Sequence, residues 1–208
     1  MKRSNIRIAI QKEGRLKELS LAFLASLGLS CPQENGRTFL MPCANADVEI
    51  LYVRHADAPQ YVENGAADFA VIGGNLLYEN NFNVKEIKKL NFGICSLVIA
   101  VPRVSFLKTM RDLEGERIAT SYPNSLRAFL REQKINAAII EIKGSVEVAP
   151  ELGLADAICD LTHTGATLRE NNLKAIETVF ESEAVLIESP FARVQKDEFR
   201  NKFLCKQL

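Results

Sequence analysis

Val62-Glu63-Asn64-Gly65-Ala66-Ala67-Asp68-Phe69-Ala70-Val71-Ile72 has an echo later in the chain, Ala149-Pro150-Glu151-Leu152-Gly153-Leu154-Ala155-Asp156-Ala157-Ile158-Cys159. Each reads as the end of a helix, Gly-x-x-Asp, and an apolar run of the length of one buried strand. A pattern seen twice at wide spacing points to two similar lobes, because repeat arrays have shorter and more numerous periods. Outward from the echo, Ile6 to Ile10 is rich in β-branched residues. A charged, glycine-containing turn follows, then Leu16, Leu19, Phe23, Leu24 and Leu27 on one helical face that Gly28 stops. Further strands are expected at about 48 to 53, 68 to 73, 94 to 101, 117 to 121, 137 to 142, 156 to 161 and 184 to 188. Helical or loop segments are expected at about 56 to 64, 105 to 110, 123 to 133, 145 to 152 and 165 to 172. Such interleaving predicts an α/β protein with mostly parallel sheet, and two lobes make the central cleft between them the default ligand site.

Composition narrows the function classes. The 208 residues are 47% hydrophobic and 25% charged with 7 prolines, which fits a folded chain and excludes disorder, collagen and coiled coil. The 26 basic and 26 acidic residues cancel, and no dense Lys/Arg run offers a nucleic-acid footprint, so an anionic ligand must be met by a local site. The longest apolar stretches, Leu97 to Val101 and the serine-interrupted Leu19 to Leu29, fall far short of the ~20 residues that cross a bilayer. The charged start Met1-Lys2-Arg3-Ser4-Asn5 leads into a strand-like run and then Lys12, Glu13 and Arg15, with no apolar leader region, so a cytoplasmic protein is expected. Cys31, Cys43, Cys95, Cys159 and Cys205 form no C-x-x-C pair and read as reduced thiols serving as small core residues. With only His55 and His163, a His-rich metal site is not expected.

Several strand ends carry groups suited to anion chemistry. Asp156-Ala157-Ile158-Cys159-Asp160-Leu161-Thr162-His163-Thr164-Gly165-Ala166-Thr167-Leu168 reads as a strand ending in an acid, a hydroxyl-rich loop and a helix. Unpaired amides at the helix start, a close approach at Gly165 and the hydroxyls of Thr164 and Thr167 suit a phosphate, while Asp160 can accept hydrogen bonds from ribose hydroxyls. A strand-to-helix turn with capping threonines has the same appearance. Gln11-Lys12-Glu13-Gly14-Arg15 places two cations around a glycine, Lys12 as a point charge and Arg15 as a fork of donors, and Arg54 follows the strand ending at Val53. Taken singly, these read first as solvated surface charge. Gly73-Gly74-Asn75 gives a tight turn able to approach a ligand. Tyr122, before Pro123, can pack on a base or in the core, and Glu147 is either a functional carboxylate or part of an exposed face.

In order, these segments resemble the ATP phosphoribosyltransferase family over nearly the full length. The resemblance is carried by Ile8 to Leu16, by Leu51-Tyr52-Val53-Arg54 with Asp57 and Pro59, and by Gly65-Ala66-Ala67-Asp68. Arg117 to Asn124 and the long run from Gly144 to Leu168 complete it. It implies two α/β lobes like a type II periplasmic binding protein: residues 1–92 plus 180–208 as the ATP and pyrophosphate side, and 93–179 as the lobe with the PRPP 5-phosphate loop. It implies transfer of a 5-phosphoribosyl group from PRPP to ATP, with magnesium bound along with PRPP. The implied PRPP contacts are Glu147, Asp160, Thr162, His163, Thr164, Gly165, Ala166, Thr167 and Leu168. Arg54 and Lys12 are implied to neutralise phosphate oxygens in catalysis, with Arg15, Gly74, Asn75 and Tyr122 on the ATP side. Long members carry a further regulatory domain. This chain looks like the short form, expected as a homodimer and as a hetero-oligomer with a histidyl-tRNA-synthetase-like regulatory subunit. One closing helix is expected at residues 197 to 208, with Phe199, Phe203, Leu204 and Leu208 on one face.

The sequence departs from the family pattern at Ala70, where glycine is frequent, at His163, where serine is frequent, and at His55 and Ala56, where acids often precede Asp57. A non-catalytic solute-binding module is the rival reading, since a two-lobe architecture also serves receptors. Such modules have no need of a phosphate loop opposite a cation-rich strand end.

Overall fold

The computed structural model describes residues 5–32, 38–191 and 199–201. In chain order the elements are β1 (Ile6–Gln11), α1 (Arg15–Ser26), β2 (Leu40–Pro42), β3 (Val48–Val53), α2 (Ala58–Glu63), β4 (Phe69–Gly73), α3 (Asn75–Glu79), β5 (Lys85–Lys89) and β6 (Cys95–Pro102). They continue with β7 (Arg117–Thr120), α4 (Pro123–Gln133), β8 (Ala138–Glu141), β9 (Ala157–Thr162), α5 (Ala166–Glu170), β10 (Leu173–Ser182) and β11 (Ala184–Glu188). Short 3-10 turns cover His55–Asp57, Met110–Leu113 and Val146–Val148. The chain divides into two compact units, Met1–Leu77 with Asn81–Gly93 and Glu183–Leu208, and Tyr78–Asn80 with Ile94–Ser182. Of the expected closing helix, Phe199–Asn201 are helical, whereas Phe203, Leu204 and Leu208 lie outside the described residues.

The first unit is a six-stranded sheet ordered β2-β3-β1-β4-β11-β5. Its central strands are buried on both faces, and their alternation sorts the core into two layers. Ile8, Ile10, Phe69, Val71 and Leu186 point to the side covered by Phe23 and Leu24 of α1. Ala9, Ala70, Ile72, Val185 and Ile187 point to the side covered by Ala58 and Val62 of α2. A one-residue slip would exchange the two layers, so the register is strongly specified.

The second unit is a five-stranded sheet ordered β10-β6-β9-β7-β8. Leu97, Ile99, Ile118 and Cys159 pack with Leu126 and Leu130 of α4, while Val98, Ala100, Ala119 and Ile158 pack with Val146, Ala149 and Leu168 on the other face.

The echo has a structural cause. In the first unit the Asp68 carboxylate accepts the Arg7 amide at 2.8 Å and the Asp68 amide donates to the Arg7 carbonyl at 2.8 Å. In the second, Asp156 and Arg117 repeat both bonds, at 3.0 and 2.8 Å. The arginine side chains repeat as well, Arg7 donating to the Ala66 carbonyl and Arg117 to the Gly153 carbonyl. Gly-x-x-Asp is thus a strand-pairing device, fixing where β4 starts beside β1 and where β9 starts beside β7. Arg117 also forks onto both Asp156 oxygens, which holds that carboxyl below its ordinary range.

One expectation is corrected. The sheets are mixed, not mostly parallel: β1 pairs parallel with β3 and β4, and β7 with β8 and β9, but β2, β5, β6, β10 and β11 all pair antiparallel. The antiparallel strands join their sheets as returns from far along the chain, β10 beside β6 and β11 beside β4 and β5, and not as links of a strand–helix–strand crossover. Of the segments expected as helix or loop, 105–110 leads into the 3-10 turn at Met110–Leu113 and 145–152 holds the one at Val146–Val148.

Candidate functional site

In the first unit, register alone sets two cations side by side. The ladder between parallel β1 and β3 ends with Gln11 opposite Val53, so Lys12 and Arg54 emerge together at the carboxyl edge, and the Lys12 amide extends the ladder to the Val53 carbonyl at 2.8 Å. They line a concavity of about 750 Å³ with Gln11, Glu13, Phe39, Tyr52, His55, Asp57 and Tyr61 among its walls. The Lys12 ammonium lies 4.9 Å from the Phe39 ring centroid, a cation–π contact that directs the charge along the wall. Its 3.8 Å approach to Glu13, a side chain 83% exposed, adds little. Tyr52 is buried and donates to the Pro32 carbonyl at 2.6 Å, so the aromatic wall is anchored from behind.

Arg15, Gly74 and Asn75 do not line this concavity. Arg15 is exposed on the first turn of α1. The Gly74 amide is spent on the Glu183 carbonyl at 2.8 Å and so is not offered to a ligand. Asn75 is 2% exposed, and its Oδ1 occupies the place a Cβ at Gly73 would take. Phe39 and Tyr61 escaped the sequence reading, since nothing local marks an aromatic residue that reaches a strand end far away in the chain.

The second unit brings every expected PRPP residue to one concavity of about 340 Å³: Glu147, Asp160 and the run from Thr162 to Leu168, joined by Ile158 and Leu161. Gly165 adopts φ 71°, a left-handed conformation, and its amide donates to Thr162 Oγ1 at 3.0 Å, closing the loop on itself. The Ala166 and Thr167 amides, on the first turn of α5, have no intrahelical acceptor. With α5 only five residues long, those local amides matter more than a helix dipole. Arg169, missed in the sequence, donates to the Thr164 carbonyl at 3.0 Å and braces the loop from its outer side. His163 donates through Nδ1 to the Ile94 carbonyl, which accounts for a bulky residue being accommodated where serine is frequent.

Asp160 accepts the Leu161 amide at 2.8 Å, yet burial, with a smaller contribution from the Glu147 charge, raises its pKa to about 6. It is ionised above that range and able to accept from hydroxyls. Tyr122 lines neither concavity: half-buried, it packs against the core beneath α4, and its amide donates to Thr120 Oγ1 at 2.9 Å. Among the described residues no cluster of three or more His, Cys, Asp or Glu side chains is placed to hold a metal ion.

Comparisons with known proteins agree with this geometry. A family model described as ATP phosphoribosyltransferase matches residues 54–207. The chain is 42% identical over 201 residues to an ATP phosphoribosyltransferase of Cytophaga hutchinsonii, covering 97% of this chain and 70% of that one. It is 43% identical over 191 residues to one of Maricaulis maris, covering 88% of this chain and 64% of that one. Across the curated relatives it spans 64–70% of their length. A solved chain of the ATP phosphoribosyl transferase (HisG:HisZ) complex from Thermotoga maritima superposes with a TM-score of 0.78 at 31% identity, covering 96% of this chain and 94% of that one. The alkanesulfonate-binding protein SsuA from Xanthomonas axonopodis pv. citri, 18% identical with a TM-score of 0.58 over 90% of this chain and 66% of that one, shares the fold alone. The architecture is thus α/β of the periplasmic-binding-protein type.

Proposed function

This chain belongs to the ATP phosphoribosyltransferase family, and from that premise we propose that it transfers the 5-phosphoribosyl group of PRPP to N1 of ATP. The reaction releases pyrophosphate, gives N1-(5-phosphoribosyl)-ATP and opens histidine biosynthesis. The observation that carries this reading is the second unit's loop, where backbone amides and threonine hydroxyls for a phosphate share one concavity with two carboxylates for a ribose. The 5-phosphate sits on residues 162 to 168. Asp160 accepts from the ribose hydroxyls, and Glu147 does so directly or through water.

Chemically the step needs an oxocarbenium-like ribosyl centre, a positioned adenine nitrogen and a stabilised leaving pyrophosphate. N1 already carries its lone pair, so positioning and electrostatics suffice without a strong general base. Lys12 and Arg54 supply charge for pyrophosphate or triphosphate oxygens. Magnesium, bound with PRPP, is held by substrate oxygens and water, in keeping with that ion's preference for a mostly hydrated shell.

Two expected outcomes test this assignment. PRPP with magnesium at about a hundred times its Kd should stabilise the protein by ~2.7 kcal/mol, raising Tm by several degrees. No shift at millimolar PRPP would remove the loop from the site. Replacing Gly165 with valine places a β-branched residue at a left-handed φ beside Arg169. The PRPP concentration for half-maximal rate should then rise by about tenfold, and an unchanged titration would contradict the loop assignment.

For assembly we propose a homodimer that joins a HisZ-like regulatory subunit; the likeness to a chain of the HisG:HisZ complex supports the partner. The chain alone should respond weakly or not at all to histidine and gain inhibition only with that partner, with a coupling of ~1–3 kcal/mol. Rate measurements at rising histidine, before and after reconstitution, decide it. Strong inhibition of the chain alone would contradict a separate regulatory subunit. A cytoplasmic location belongs to the same reading. Among the described residues no helix is long and apolar enough to cross a membrane.

A further inference from the structure

The 3-10 turn that follows Arg54 carries a half-buried titratable group that the proposed chemistry does not use. His55 Nε2 accepts the Gly73 amide at 2.9 Å. An imidazole accepting at Nε2 is neutral and carries its proton on Nδ1. The contact joins two strand ends of the first unit, the turn after β3 that bears Arg54 and the turn after β4. Gly73 is buried, and a Cβ there would collide with Asn75 Oδ1 and crowd the His55 ring at 3.3 Å, so the two turns are packed together around a missing side chain. The fit depends on an acceptor at residue 55, because otherwise the Gly73 amide would be buried without a partner.

We propose that His55 is a positioning residue: by accepting the Gly73 amide it fastens the turn that orients Arg54, and its protonation releases that turn. A protonated imidazole has donors at both nitrogens and would set N–H against N–H. Burial alone already disfavours the charged ring and depresses its pKa. The charged and titratable groups sharing its concavity are Lys12 and Glu13 after β1, Arg54 and Asp57 on its own turn, and Tyr61 on α2. Behind the Gly73 turn stands Glu183, whose carboxylate already accepts the Asn91 amide at 2.7 Å. The contact is therefore closed at neutral pH and opens as pH falls through the depressed His55 value.

The inference rests on the assignment of Arg54 to phosphate oxygens, so its test has an arm that needs no substrate. In wild-type protein, NMR titration should show the Gly73 amide and the His55 ring shifting together, with a midpoint below the ordinary histidine range. Independent titration of the two overturns the contact, whatever the chain catalyses. The second arm follows kcat for pyrophosphate release against pH. His55→Gln places an amide oxygen where Nε2 stood and does not titrate, so at the acid end it should keep about tenfold more of its neutral-pH kcat than wild type does. The loss of rate that remains in it reports Asp160. His55→Leu, without an acceptor, should have a kcat about tenfold below wild type at neutral pH, converging with wild type at the acid end, with the PRPP requirement unchanged, and Gly73→Ala should behave like it. Equal acid sensitivity of wild type and His55→Gln overturns the positioning role. A wild-type chain that releases no pyrophosphate at any pH refutes the enzymatic reading and the positioning role with it, leaving the contact itself to the NMR result.

Discussion

Asp160→Asn should lose about a hundredfold or more in turnover and at the same time melt at a higher temperature than wild type. The first effect follows from the carboxylate's place in the phosphate-loop concavity, where two acceptor oxygens and a full negative charge hold the ribose hydroxyls and oppose the positive charge that builds on the sugar, whereas an amide keeps one acceptor oxygen and no charge. The second follows from burial. In the folded chain Asp160 titrates at about 6, against 3.8 for an unperturbed carboxyl. Between those values the native state holds a proton that the unfolded state has lost, so stability falls as pH rises through the interval, and the full penalty stands at pH 7. At ~1.4 kcal/mol per unit, removing the charge with an isosteric amide should return about 1–3 kcal/mol, or several degrees in Tm. The same titration sets the pH profile: kcat/KM should fall as pH drops through about 6 in wild type. Near wild-type turnover would remove Asp160 from the site. Lost turnover with lowered Tm would mean that the carboxylate supports the fold.

Arg54→Ala should lower kcat by about a hundredfold while the KM for ATP rises only a few-fold. Arg54 is exposed and sits at the carboxyl edge of β3, next to Lys12 in the concavity of the first unit. Its fork of donors is better matched to charge gathering on departing pyrophosphate than to a ground-state triphosphate, so its removal should be felt in the transition state. Little effect on folding is expected, because no packed layer includes it. Steady-state kinetics with ATP and PRPP varied in turn decides the matter, and a change confined to KM would reassign Arg54 to binding ATP.

Most of the strands legible in the sequence are those buried on two faces: β1, β3, β4, β6, β7, β9 and β11 announce themselves as short apolar runs because both sides of each strand meet a core layer. The exception is β8, an edge of the second sheet whose Ala138-Ile139-Ile140 still reads as an apolar run. Three strands were missed, and all three are edges: β2 and β5 close the first sheet and β10 closes the second. An edge strand needs no continuous apolar run and is safer with charges, as Lys85-Glu86-Ile87-Lys88-Lys89 illustrates. β10 hides differently, since two register irregularities against β6 break its alternation. Two antiparallel pairs, β11 with β4 and β6 with β9, join strands that were legible, but direction is set by which strands meet in the fold and no local pattern marks it, which is why the sheets were expected to be mostly parallel.

The site divides in the same way. The phosphate loop was legible because it is contiguous, its strand, glycine and threonines arriving in one run from Asp160 to Leu168. The pairing of Lys12 with Arg54 was visible as two strand ends, but their adjacency depends on the β1–β3 register. Phe39 and the His55–Gly73 contact depend on tertiary placement, and no local pattern marks them, whereas Arg169 lies only five residues from the Thr164 carbonyl it braces and was open to a local reading. Tyr122, which the sequence left between packing on a base and packing in the core, lies half-buried against the core beneath α4.

Product formation by the purified chain tests the central claim most directly. PRPP, ATP and magnesium are incubated with the chain, alone and with a HisZ-like partner, and pyrophosphate and nucleotide products are quantified. The expected result is pyrophosphate released in equal amount to a new adenine nucleotide bearing a ribosyl phosphate at N1, dependent on both substrates and abolished in Asp160→Asn. Absence of pyrophosphate with the partner present, while PRPP still raises Tm, would contradict the account and leave a phosphate-binding protein without transferase activity.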